Sequence, residues 1–182
     1  MEQNKQDTVN LNTLTARLKN EDERYARLSK NFQIVYWVLV AIYGLLIGIH
    51  IYENQSIKEI AGITCFLLAM LIFAIMFRHF NKEYATVDYS QPTLLMLKQA
   101  AHRYKPFQLK TIWALVAVLL IDAGLSLNES LGFDLIRLQI VFVAVFGIAF
   151  AIGLVFWKIR YKALRDDALL LIRELENDVV AE

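Results

Sequence analysis

The chain alternates between long apolar blocks and polar segments that have helical periodicity. Four blocks are almost free of charged residues: 32–51, 57–77, 112–127 and 138–157. A bilayer core of about 30 Å needs about 20 helical residues. Three blocks meet that length, and the third block meets it if it includes Asp122 and runs to about Leu131. Because backbone groups cannot stay unpaired in hydrocarbon, each block is predicted to be a helix.

The polar segments predict amphipathic helices. Apolar residues recur at spacings of three and four, with Glu21 as the one polar position in the first stripe. The N-terminal stripe consists of Leu11, Leu14, Leu18, Tyr25, Leu28 and Phe32. A central stripe follows Pro92 and consists of Leu94, Leu97, Ala101 and Tyr104. The C-terminal stripe consists of Leu164, Ala168, Leu171, Leu175 and Val179.

These patterns divide the chain into five segments. They are an amphipathic N-terminal helix (1–31), a first transmembrane hairpin (32–77), a basic linker with a short amphipathic helix (78–110), a second transmembrane hairpin (111–157) and a C-terminal helix (158–182). The prediction is an all-α integral membrane protein with four transmembrane helices in two tandem hairpins and helical extensions on the cytoplasmic side. We expect the four helices to form one compact bundle.

The two hairpins are predicted to be copies of one unit. Shifting the chain by 76 residues places Trp37 on Trp113, Gly48 on Gly124 and Glu53 on Glu129. The lead-ins also match, with KNFQ at 30–33 and KPFQ at 105–108. Aliphatic matches between membrane helices arise from composition alone, so the tryptophan, glycine and glutamate matches carry the argument for an internal repeat.

Composition agrees with a membrane protein and narrows the function. Hydrophobic residues make up 57% of the chain and the mean hydropathy is +0.42, above the usual range of soluble domains. The net charge of +1 gives no overall basic field toward nucleic acid. We expect the bilayer, and either a second copy or a cytoplasmic protein, as partners.

The distribution of Lys and Arg predicts the orientation. The two tails and the central linker hold seventeen of these residues, and the two short loops hold only Lys58 and Arg137. Positive loops stay in the cytoplasm, so both termini are predicted to be cytoplasmic, in a plasma membrane or a bacterial inner membrane. An aromatic belt of Trp37, Trp113 and Trp157 fits the same side.

Asp122 is the one acidic residue deep in an apolar block. An ionisable group there costs about 2.5–3.5 kcal/mol on insertion scales, so it must be paired, protonated or hydrated. The favoured interpretation is structural, with Arg137, Tyr43 or Ser126 as its partner. The alternative is a proton or cation site, with His50 as a further polar candidate. No second ligand lies three or four residues from His50, so no metal site, and no cofactor, is predicted.

Small residues mark faces where helices could approach closely. Gly44 and Gly48 form a GxxxG pair, and Gly147 with Ala151 and Ala149 with Gly153 form similar pairs. These residues predict helix packing but not whether it lies within or between subunits.

Two functions remain open at this stage. No nucleophile and base, metal pattern or phosphate loop is visible, so we expect a protein that is not an enzyme. The first hypothesis is a membrane-anchored scaffold or regulator that binds through its cytoplasmic stripes, chiefly Leu14, Leu18, Leu28, Leu164, Leu171 and Leu175. The alternative is a small oligomeric transporter or channel that uses Asp122 for coupling.

Overall fold

The computed structural model describes residues 11–105, 110–128 and 134–181, and this part of the chain is helical apart from short connections. The five helices are α1 (Leu11–Tyr52), α2 (Ile57–Ala85), α3 (Thr93–Arg103), α4 (Thr111–Leu127) and α5 (Leu135–Ala181). The all-helical prediction is confirmed. Three of the helices, α1, α2 and α5, are long and apolar enough to cross a membrane, and α4 is a shorter apolar helix.

α1 and α5 each join an apolar block to a polar extension without a break. α1 has 42 residues and α5 has 47, so their axes are about 60 and 70 Å long. No proline occurs in either helix to remove a hydrogen bond or force a kink. The N-terminal amphipathic segment therefore continues directly into the first apolar block.

A tight turn joins α1 to α2. Asn54 adopts a positive φ of 53°, a conformation that asparagine tolerates better than most residues. Ser56 then caps α2, because its hydroxyl oxygen accepts a hydrogen bond from the backbone N–H of Glu59 at 3.2 Å. The turn sets α2 back along α1, as the hairpin pattern predicts.

The apolar part of α2 packs between α1 and α4. A small core of Ala69, Met70 and Ala117 is surrounded by partly buried Tyr36, Leu39, Val40, Tyr43, Ile72, Phe73, Leu120 and Ile121. Aromatic pairs extend the contact with α1, including Tyr36 with Phe73 and Tyr43 with Phe66. These side chains hold α1, α2 and α4 as one unit.

The apolar part of α5 does not join this unit. Its large hydrophobic residues are exposed on all sides of the helix, among them Val143, Phe146, Ile148 and Phe150. The expectation of one compact four-helix bundle is therefore wrong, since three apolar segments pack together and the fourth stands apart. The two hairpins also differ in packing, because α1 lies along α2 whereas α4 lies along α2 rather than α5.

The polar segments form a second body, which we call the basal bundle. It consists of residues 11–31 of α1, 78–85 of α2, all of α3 and the connection before it, and 157–177 of α5. Its core consists of Leu14, Leu18, Met96, Leu97, Ala100, Ala101, Tyr104, Leu164, Ala168, Leu171 and Ile172. The two terminal stripes thus pack against each other, and α3 completes their core.

Candidate functional site

The most unusual feature of the basal bundle is a buried carboxylate. Asp22 of α1 is only 1% exposed. It follows Leu14 and Leu18 at successive four-residue steps, so it lies on the same helix face and is carried into the core. An isolated buried charge is very unfavourable, so such a group needs partners.

Three side chains from the α3 region supply those partners. The hydroxyls of Tyr89 and Tyr104 each donate to a carboxylate oxygen of Asp22 at 2.5 Å. The guanidinium of Arg103 donates to Oδ2 at 3.0 Å, and its side chain is as well buried as that of Asp22. Two phenols and one guanidinium thus occupy three of the carboxylate's roughly four acceptor positions.

The surroundings keep the two phenols protonated. Burial, then the negative charge of Asp22 and the hydrogen bond to it, raise the pKa of Tyr104. Burial and the hydrogen bond to Asp22 raise the pKa of Tyr89 in the same way. Both hydroxyls therefore remain protonated donors at physiological pH. The charged groups of the network are then Asp22 and Arg103, which pair with each other.

Further contacts connect this network to α2 and α5. The hydroxyl of Tyr84, whose pKa is raised mainly by burial, donates to the backbone oxygen of Arg103 at 3.3 Å. The indole Nε1–H of Trp157 donates to the backbone oxygen of Tyr104 at 2.9 Å. Tyr161 of α5 stacks on Tyr104. Four helices are thus fixed around one carboxylate.

A second, more accessible ion pair joins α1 directly to α5. Arg160 donates from Nε and Nη2 to the two oxygens of Glu21, at 2.9 and 2.8 Å. This two-point geometry is the strong form of an arginine–carboxylate contact. The hydrogen bond from Arg160 holds the pKa of Glu21 below its usual value. Chemically, the whole arrangement is a set of hydrogen-bonded charge pairs that fixes helix positions.

The sequence-predicted stripes are confirmed in part. Leu14, Leu18, Leu164 and Leu171 are buried in the core, and Leu175 packs against it. Leu28 is 50% exposed, so it lies outside the buried row of α1, and its predicted role in binding a partner stays a prediction. Beyond Leu18 the buried face of α1 continues through Asp22, Ala26 and Ser29, a different row from the one drawn through Glu21 and Leu28. Val179 lies outside the described side chains.

The sequence offers one signal for the missed network. Asp22 is the position four residues after Leu18, and Tyr104 belongs to the predicted stripe of α3. Spacing alone does not show whether the buried residues of α1 recur every four residues or at alternating steps of three and four residues. The partner that decides between them, Arg103, lies in a different segment.

Asp122 also has polar partners, the expected Ser126 and the unexpected Gln139. The side-chain amide of Gln139 donates from Nε2 to Asp122 Oδ1 and to Ser126 Oγ, both at 2.9 Å. The hydroxyl of Ser126 donates to the backbone oxygen of Asp122. Among the described residues no ion pair joins Asp122 to Arg137, which is exposed. Gln139 is the second residue of the fourth block, and the apolar composition of that block gave no sign of a polar contact there.

The remaining polar candidates are separate from this cluster. Tyr43 stacks on Phe66 in the contact between α1 and α2. The Nδ1–H of His50 donates to the backbone oxygen of Leu46 in its own helix, at 2.9 Å. Across residues 11–105, 110–128 and 134–177, no three His, Cys, Asp or Glu side chains lie together as a metal site would require.

Close glycine packing occurs between Gly62 and Gly124, which lie outside the predicted small-residue faces. A Cβ on Gly124 would lie 2.9 Å from the backbone oxygen of Gly62, so α2 and α4 touch through their backbones there. A Cβ on Gly44 would meet only Leu67, at an ordinary 3.8 Å. Gly48, Gly147 and Gly153 have nothing within 4 Å, and Ala151 is exposed. These four are not packing positions within the described protomer, so only contacts between subunits remain open to them.

Comparison of the chain with known protein families, with curated proteins and with solved structures finds no match.

Proposed function

We propose that this is a non-enzymatic, multi-pass membrane protein whose basal bundle serves as a membrane-anchored scaffold or regulator. The observation that carries the proposal is the buried network around Asp22. It fixes four helices relative to one another, so the bundle presents a rigid surface. A rigid surface loses little entropy when it binds a partner.

The membrane topology belongs to the same proposal. Three long apolar helices and the shorter apolar α4 support four spans. The excess of Lys and Arg at the basal end supports a cytoplasmic bundle. The proposed duplication of a hairpin unit rests on the sequence matches alone.

The geometry changes where a partner would bind. The leucines of the stripes bury one another, so they build the bundle and are not free to contact another protein. The outer face still carries exposed leucines, namely Leu28, Leu95 and Leu170. Exposed leucines amid charged residues are suitable contact points for a soluble partner.

Site-specific crosslinking in native membranes tests the scaffold. A photoreactive residue at Leu95 or Leu170 should yield one discrete protein adduct, whereas the same residue at Lys162 should yield none. The double substitution Leu18→Asp and Leu171→Asp should remove the adduct while leaving membrane insertion intact, because it disrupts the core that holds the surface. Absence of a discrete adduct at both leucines would contradict the proposal.

A small transporter or channel is the second candidate, favoured by the polar group Asp122, Ser126 and Gln139 between α4 and α5. Against it, the described contact of α1, α2 and α4 is lined by apolar side chains and two tyrosines, which offer no continuous polar path. Proteoliposome flux decides between the two. Proton or cation flux that Asp122→Asn abolishes, without loss of thermal stability, would favour transport over the scaffold.

A further inference from the structure

A groove between α1 and α5 lies where the apolar part of α5 ends. It has a volume of about 580 Å³, within the range of about 300–1,000 Å³ that is usual for ligand clefts. α1 contributes Arg17, Asn20 and Glu21, and α5 contributes Phe156, Ile159 and Arg160. One wall is thus polar and the other is largely apolar.

The contacts around the groove establish the alignment of the two helices. Arg160 pairs with Glu21. Asp167, which comes later on α5, lies 3.5 Å from Arg17, which comes earlier on α1. The helices are therefore antiparallel and in contact here. The apolar block of α5 ends at Trp157, close to this contact, but the apolar block of α1 begins only at Phe32. Eleven residues separate Glu21 from Phe32, or about 16 Å along the axis.

This offset places apolar residues of α5 and basic residues of α1 at one level along the helix axes. Phe150, Ile152, Val155 and Phe156 of α5 are exposed. By the antiparallel alignment they lie level with the segment of α1 that includes Arg24, Arg27 and Lys30, which are also exposed. Basic residues of α1 therefore add positive charge at the level where the apolar face of α5 ends.

The exposed stretch of α5 between its contact with α4 and its contact with the basal bundle is long enough for an acyl chain. α5 is tied to α4 by the hydrogen bond from Gln139 to Asp122, and to the basal bundle by the hydrogen bond from Trp157 to Tyr104. The nineteen residues from Gln139 to Trp157 span about 27 Å, and most of the side chains between them are exposed. Phe156 belongs both to this stretch and to the groove.

The cations of the groove are suited to a phosphate. Arg17 is 55% exposed, and its one contact with Asp167 is long, so its guanidinium is accessible. Arg17, Arg24 and Arg160 all act on the single carboxylate of Glu21. Within the groove, Arg17 and Arg160 face Glu21, with Asp167 beside Arg17. Arg24, outside the lining, adds a third positive charge close to Glu21. Arginine binds phosphate oxygens in preference to most other partners.

We infer that this groove binds an anionic phospholipid, with the phosphate on Arg17 and Asn20 and the acyl chains along the exposed face of α5. A second copy of the chain fits less well, because an apolar helix from another protomer would bring no anion to the arginines. The site requires the proposed membrane embedding but is independent of the scaffold role.

Native mass spectrometry of the full-length protein tests this inference. The protein is released from detergent micelles containing equal amounts of phosphatidylglycerol and phosphatidylcholine. Wild type should retain one phosphatidylglycerol in preference to phosphatidylcholine. Arg17→Gln should lower that retention about fivefold, as expected for loss of about 1 kcal/mol per basic residue at a membrane surface. Asn20→Asp should lower it as well, by adding a negative charge to the groove.

The control is Arg173→Gln, which removes the same charge from an exposed position of α5 that does not line the groove. It should retain the lipid like wild type. Equal retention of both lipids by wild type, or equal losses in Arg17→Gln and Arg173→Gln, would overturn the assignment. So would a lipid-free dimer crosslinked through α5, which would assign that exposed stretch of α5 to a second copy. Displacement of the lipid by an equal concentration of inorganic phosphate would assign the groove to a soluble phosphate.

Discussion

The stability of the basal bundle is expected to depend on the buried charge of Asp22. Asp22→Leu should destabilise the basal bundle by about 3–5 kcal/mol, because the buried guanidinium of Arg103 would lose its counter-charge. Asp22→Asn should be less severe, because the amide oxygen still accepts a hydrogen bond from one phenol. Thermal unfolding in detergent, followed by circular dichroism, measures both changes.

Two further variants show whether the pairing itself is responsible. Adding Arg103→Leu to Asp22→Leu should recover part of the loss, since no unpaired charge then remains buried. Asp166→Asn, at an exposed position of α5, should leave the free energy of unfolding within about 0.5 kcal/mol of the wild-type value. If Asp22→Leu is as stable as Asp166→Asn, the network has no structural role.

Glu21 should give the bundle a dependence on pH. Its pKa in the folded protein lies below the ordinary value of 4.5, chiefly because Arg160 hydrogen-bonds to the ionised form. A carboxylate with a lowered folded pKa stabilises the protein fully above its unfolded pKa. That contribution is lost as the pH falls below 4.5 and through the folded pKa.

Comparison with Glu21→Gln isolates this contribution. The variant should be less stable than wild type at neutral pH, and the difference should shrink between about pH 5 and pH 3. Denaturation midpoints measured across that range provide the test. A difference that stays constant with pH would mean that the Glu21 charge does not contribute through its pairing with Arg160.

The residues that sequence reasoning located best are those whose role follows from spacing alone. Leu14, Leu18 and Leu164 were assigned to a buried stripe and lie in the core. Asp22 and Gln139 were missed because a polar residue on a buried face is identified only by its partner. Those partners come from other helices, and one sequence without tertiary contacts does not contain that information.

At the scale of elements, the decisive contact is the crossing of α2 and α4 at Gly62 and Gly124. Gly124→Ala would place a methyl group 2.9 Å from the backbone oxygen of Gly62 and 3.1 Å from the ring of Phe66. Backbone cannot move aside as a flexible side chain can, so the helices must separate. We expect a loss of about 1–3 kcal/mol, as for other overpacked sites. The midpoint of thermal unfolding in detergent measures it.

The chain provides two matched controls for this substitution. Gly48→Ala changes the position that the repeat alignment equates with Gly124, and Gly147→Ala changes an open position of α5. Neither has an atom within 4 Å of the added methyl, so both should be neutral or slightly stabilising through better helix propensity. Equal destabilisation at Gly48 and Gly124 would contradict the crossing described here.

Element boundaries were predictable where local chemistry sets them. The start of α2 at Ile57 and the helix after Pro92 follow from capping and turn residues. The separation of α5 from the other apolar helices was not predictable, because all four blocks have similar composition. Which apolar face meets another helix and which meets lipid depends on shape, for example on the Gly62 and Gly124 pair.

At the scale of the whole molecule, two bodies are joined by continuous helices. α1 and α5 run through both bodies without a break, so a tilt of α5 at its apolar end must be transmitted to the basal bundle unless the helix bends. The groove between Arg17 and Phe156 lies at this junction. A lipid bound there would therefore contact both helices at the point where their relative angle is set.

The last prediction tests the proposed topology by the accessibility of single cysteines. Cys65 is the only native cysteine and lies within α2, so Cys65→Ala gives a background for single cysteines. Positive residues are concentrated at the basal end, so that end should face the cytoplasm. Gln55→Cys and Asp134→Cys, at the opposite end, should react with a membrane-impermeant maleimide added to intact cells. Thr13→Cys, Gln99→Cys and Asn177→Cys, on the basal bundle, should react only after the membrane is permeabilised.

All five positions are exposed, so a lack of labelling would report the barrier and not burial. Gln55 tests the first hairpin and Asp134 tests the second, which matters because α4 is too short by itself to cross about 30 Å of hydrocarbon. Labelling of Gln99 in intact cells would refute the cytoplasmic bundle. Failure at Asp134 alone, with labelling only after permeabilisation, would mean that α4 and α5 do not form a spanning hairpin. In that case α5 would have to lie along the membrane surface, with its exposed apolar side chains in the interface.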